Sequence, residues 1–79
     1  MSRKQFETQD LNLSAVLIAK GFELTEVIKN NYGKATFCFD STKEILDVIE
    51  QYWNNKLLIS PQELFHALKL LKNRIYSNY

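Results

Sequence analysis

The stretch FELTEVIKNNYGKATFCFD, Phe22–Asp40, decides how this chain folds. Its apolar residues recur with a period of two. Phe22, Leu24 and Ile28 alternate with Glu23, Thr25 and Lys29, and then Ala35, Phe37 and Phe39 alternate with Lys34, Thr36, Cys38 and Asp40. Successive side chains of a strand point to opposite faces, so the pattern predicts two half-covered strands. Between them KNNYGK, Lys29–Lys34, reads as the turn: Asn and Gly tolerate the left-handed backbone of a hairpin loop, and the lysines end the strands. Glu26 falls in the apolar phase and Val27 in the polar one, which calls for a bulge or a half-covered end there and leaves the register open. Tyr32 stands apart, because a loop tip has no need of an aromatic ring.

Upstream, Asp10 can cap a helix from Leu11 to Lys20, and Gly21 ends it as a left-handed residue just past the last turn. Leu11, Ala15 and Ile18 occupy one side of that helix, Leu13 and Leu17 another, and Val16 and Ala19 the flank between them. A helix apolar nearly all round must be covered on more than one side, by the rest of the chain or by a second copy. Leu13, Val16 and Leu17 are therefore candidate protein-interaction residues. Phe6 to Thr8 adds a short edge strand to the expected sheet.

Downstream, Ser41-Thr42-Lys43-Glu44 matches a capping box with Ser41 as its cap, opening a second helix whose stripe is Ile45, Leu46, Val48, Ile49, Tyr52 and Trp53. Asn54 and Asn55 end it. Leu57–Ile59 is a short extended connector, and Ser60-Pro61-Gln62-Glu63 then starts a third helix running to about Tyr76. Ile59 and Leu64 sit at the two positions of a hydrophobic staple. The stripe expected to be buried is Leu64, Phe65, Leu68, Leu71 and Ile75, with His66, Lys69 and Asn73 pointing away. The fold class is α+β: helix, hairpin, helix, helix, with a short N-terminal edge strand.

The 79 residues make one domain, since folding at this size buries only about 60–65% of the chain's surface and a second core would be too small. No run approaches the roughly 20 apolar residues of a membrane span, and MSRKQFETQD has no apolar signal-peptide core. With a single cysteine, Cys38, and so no disulfide framework, the reading is a cytoplasmic protein. The net charge of +1 gives no molecule-wide field for nucleic acid or acidic membranes. The charge is mildly uneven, −2 up to Asn55 and +3 beyond it.

Catalysis needs convergent groups, and one histidine, one cysteine and no glycine-rich phosphate loop do not supply them. His66 reads as a solvated surface residue. Glu44, Asp47 and Glu50 lie near one helix face with nothing apolar beside them to raise a pKa. No enzyme activity, metal or cofactor is expected. Basic and aromatic residues interleave at two places, Lys29, Tyr32 and Lys34 on the hairpin and Lys69, Lys72, Arg74 and Tyr76 on the last helix, which makes them nucleic-acid candidates. The helix dipole accounts for the second cluster without a ligand. For protein contact, Tyr52, Trp53 and Tyr76 join the first helix, although the spacing of Tyr52 and Trp53 from Ile45 and Ile49 favours a place in the core over a contact.

The order TQDLNLSAVLIAKGFEL and then ATFCFDSTKEILDVIEQYWNNKLLISPQELFHALKLLKNRIYS resembles a family of small uncharacterised domains from bacteria and their viruses. Thr8 and Asp10, Lys20-Gly21-Phe22, Phe37-Cys38-Phe39, Tyr52-Trp53 and Leu68 to Tyr76 carry the resemblance. These are caps and core positions, so the resemblance implies an architecture and transfers no catalytic or ligand residue. It also implies a phage or mobile element as a source, with a host protein as a partner. The expected function is a non-catalytic protein-interaction module that binds a host protein or pairs as a homodimer; the alternative is nucleic-acid binding.

Overall fold

The computed structural model describes residues 4–30 and 32–76. In chain order the elements are β1 (Gln5–Thr8), α1 (Leu11–Ala19), β2 (Leu24–Lys29), β3 (Ala35–Asp40), α2 (Lys43–Trp53) and α3 (Pro61–Tyr76). The sheet is antiparallel with order β1-β3-β2, so the edge strand expected at Phe6–Thr8 is present and begins one residue earlier.

The out-of-phase pair Glu26 and Val27 does mark a bulge. Leu24 pairs with Phe39 and Glu26 with Cys38, leaving Thr25 as the extra residue, whose hydroxyl donates to the Cys38 carbonyl at 2.9 Å. Beyond the bulge the alternation is inverted: Val27 opposes Phe37 on the covered face, while Ile28 opposes Thr36 on the open one. Ile28 is thus exposed rather than part of the apolar face, because one inserted residue moves every later side chain across the sheet.

The helices pack against the covered face. Leu13, Ala15 and Leu17 of α1 meet Phe37 and Phe39 of the sheet, Ile45 of α2, and Ala67 and Leu71 of α3 in one buried cluster. With an extent of 36 × 36 × 19 Å, the molecule is a plate about two layers thick. Five consecutive residues, Leu13 to Leu17, are buried, so the middle of α1 is covered all round by its own chain, while Asn12 is exposed. Ser14 is among them, and its hydroxyl donates to the Asp10 carbonyl at 2.9 Å.

The caps explain the boundaries. Asp10 Oδ1 accepts from Leu13 N at the start of α1. At its end Phe22 N donates to Leu17 O and Gly21 N to Ile18 O, the paired bonds of a Schellman motif, with Gly21 at φ 97°. α2 ends in the same way on Asn55, a non-glycine residue at φ 59°. The cap at the start of α2 is Thr42, whose Oγ1 accepts from Ile45 N, and not Ser41. Ser41 N is committed instead to the Lys4 carbonyl, which prolongs the sheet by one residue and delays the helix.

Candidate binding surfaces

Asn30 builds the hairpin loop. Its Oδ1 accepts from the backbone N–H groups of Tyr32 and Lys34, while Asn30 N donates to the Lys34 carbonyl and Gly33 takes φ 80°. The Tyr32 ring is left 90% exposed at the tip. Lys29 lies on the covered face of the sheet, opposite Ala35, and from there its Nζ donates to the Ile75 carbonyl in the last turn of α3. Two candidate clusters that are far apart in sequence, Lys29–Lys34 and Lys72–Tyr76, are thereby brought to one end of the molecule.

At 3.6 residues per turn, Phe65, Lys69, Lys72 and Tyr76 fall on one flank of α3, whereas His66, Leu70 and Arg74 fall on the other. All of these are exposed. Phe65, expected in the buried stripe, is 66% exposed because the helix rests on the narrower line Leu64, Ala67, Leu68, Leu71 and Ile75. Tyr76 is 76% exposed.

The opposite end of α3 differs. Between Trp53 and the connector opens a cleft of about 410 Å³ lined by Val16, Tyr52, Trp53, Asn55, Leu57, Ile59 and Leu64. The staple pair Ile59 and Leu64 thus contributes to its wall. Lys20 Nζ donates to the Leu58 carbonyl at 2.8 Å, tying the connector to the end of α1, and the Leu58 side chain is left 87% exposed.

The candidate interaction residues separate accordingly. Leu13 and Leu17 are buried in the chain's own core, and Val16 reaches only the base of the cleft; none of the three offers a free surface. Tyr52 is half-buried against the core, and burial followed by the Asp10 carboxylate raises its phenol pKa. Trp53, whose spacing favoured the core, is instead 64% exposed, because α2 buries only a narrow line through Ile45, and it meets Tyr52 edge-on, with ring centroids 5.0 Å apart and planes at 73°. Leu46 is likewise exposed, so the buried stripe of α2 is narrower than its apolar composition. Exposed Leu58 and Phe65 were missed, because helical spacing put Phe65 in the buried stripe and nothing in the apolar connector set Leu58 apart from Leu57 and Ile59.

Cys38 is fully buried at the centre of β3, paired with Glu7 on one side and Glu26 on the other. Burial, with the two carboxylates adding to it, raises its thiol pKa, the opposite of what activates a nucleophilic cysteine. Among the described residues no group of three or more His, Cys, Asp or Glu could hold a metal ion, and no helix is long and apolar enough to cross a membrane.

These features define a small α+β domain: three helices on one face of a three-stranded antiparallel sheet, with an apolar cleft at one end of the last helix and a basic, aromatic hairpin at the other. The chain belongs to the family described as a domain of unknown function, DUF5659, whose model matches residues 3–77. Comparison with curated proteins and with solved structures gives no match.

Proposed function

We propose that this domain is a non-catalytic protein-interaction module that assembles as a homodimer through the Trp53 cleft. The exposed Leu58 beside that cleft carries the reading. Its neighbours in sequence, Leu57 and Ile59, line the cleft while Leu58 itself projects from the same connector, so one surface holds both a recess and an apolar knob. A two-fold dimer needs one patch that is complementary to itself, and a knob adjacent to a recess meets that need. Trp53 on the rim adds the residue type most enriched among energetically dominant contacts. Leaving it and Leu58 in water forfeits about 25 cal/mol for each Å² of apolar surface that association would cover.

The reading keeps self-association but moves it from the first helix, whose apolar surface the chain itself covers, to the α2–α3 connector. Light scattering over a concentration series tests it, together with the emission of Trp53, the chain's single tryptophan. A dimer should form as concentration rises, with the emission moving to shorter wavelength, and Leu58→Glu should return both signals to those of a monomer. A monomer at every concentration, with unmoved emission, sinks the homodimer.

A further inference from the structure

A separate set of observations concerns the other end of α3. Residues 27–39 and 64–76 contain no acid, yet they hold Lys29, Lys34, Lys69, Lys72 and Arg74. The rest of the chain then has five bases, Arg3, Lys4, Lys20, Lys43 and Lys56, against nine acids. A net charge of +1 therefore conceals a polarised molecule. The contact of Lys29 with the Ile75 carbonyl joins the two acid-free segments at the hairpin end, whereas Glu23 and Asp40 adjoin the Leu24–Phe39 pair at the opposite end of the strands.

We propose that this basic end, continued along α3 by the flank Phe65, Lys69, Lys72 and Tyr76, binds single-stranded nucleic acid. The helix dipole, expected to account for this whole cluster, accounts only for Arg74 in the last turn, since its effect fades beyond that turn and Lys69 lies seven residues before Tyr76. Something other than the dipole is needed to account for a lysine there, flanked by exposed rings. On the helix the two rings are separated by about 16 Å, with both lysines between them. Lysines reach phosphates as point charges, and an exposed ring gives an unpaired base a face to stack on. A duplex has its base faces already stacked inside, so this arrangement selects the single strand. Tyr32, exposed on the hairpin tip that Asn30 shapes, lies at the same end of the molecule, where the Lys29 contact brings the hairpin to α3, and offers a further ring for stacking.

Fluorescence anisotropy with a short labelled oligo-dT, and with a duplex of equal length, tests the proposal. With three or four phosphates engaged, affinity for the single strand should fall about 20- to 50-fold between about 50 and 200 mM salt. Phe65→Ala and Tyr76→Ala should each weaken it roughly 5-fold or more. Lys69→Glu with Lys72→Glu should remove binding at the higher salt, and Trp53→Ala should change nothing, with circular dichroism showing that each variant is folded. No binding to oligo-dT at low salt overturns the proposal. Equal affinity for the duplex, unaffected by loss of either ring, overturns it as well, because the site would then be only a patch of charge.

Discussion

The two ends of α3 bear exposed aromatic residues for opposite reasons. At its start, Trp53 and Leu58 border a recess with apolar walls, and the backbone that presents them is fixed by the Asn55 cap and by Lys20 on the Leu58 carbonyl. At its end, Tyr76 in the last turn of α3 and Tyr32 on the hairpin loop that Asn30 organises stand among lysines. The first environment suits an apolar side chain, since what it offers is area to remove from water. The second suits an anion carrying flat rings. An exposed aromatic residue thus has no fixed meaning; its neighbours decide which chemistry it can serve.

The largest effect should come from a change that removes both ends together. Leu71 is fully buried where α3 meets the core, and Leu71→Ala should cost about 2–5 kcal/mol, enough to unfold much of a domain this small. Urea denaturation would measure it, and both binding signals should fall with the folded fraction. The sharper comparison uses crossed variants. Leu58→Glu should abolish concentration-dependent association while leaving oligo-dT binding unchanged, and the Lys69→Glu, Lys72→Glu pair should do the reverse. If either variant affects both signals, the two ends are one surface.

Smaller effects concern how each end is held. Asn55 adopts a left-handed conformation that glycine takes without strain, so Asn55→Gly should raise stability by up to about 1 kcal/mol at the cleft end, read as a higher urea midpoint. Tyr32→Ser should alter stability by less than about 0.5 kcal/mol, because the ring lies in water, yet it should weaken oligo-dT binding. Independently of either binding test, the folded state favours the protonated forms of Cys38, in the sheet, and Tyr52, beside the cleft. The stability this confers is complete below their ordinary values, 9.0 and 10.0, and is lost as pH rises past them. Thermal melts should therefore decline from about pH 9 upward, less steeply in Cys38→Ala.

Much of the fold was legible because it rests on local chemistry. Gly21 after an apolar run, Asp10 before it, the two alternating strands and the phase error at Glu26 and Val27 each correspond to a feature now visible in the backbone. The errors arose where a distant segment decides. Ser41 looked like a cap until the Lys4 carbonyl claimed its N–H, and Ile28 looked buried because periodicity does not say on which side of a bulge the phase continues. For the candidate sites the divide is wider. That Leu13 and Leu17 are covered, that Trp53 is not, and that Lys29 meets Ile75 are all consequences of how α1, α2 and α3 pack together. Helical spacing states which residues share a side and leaves open how much of that side a neighbour covers.

The bulge at Thr25 has one further consequence. A sheet of order β1-β3-β2 ends in two edges, and an unpaired edge is a template on which further chains can add strands without limit. β1 is only four residues long, and on β2 the extra residue interrupts the regular spacing of outward-facing amides and carbonyls. Open-ended growth along the sheet is thus discouraged at both edges, and the sheet ends at three strands.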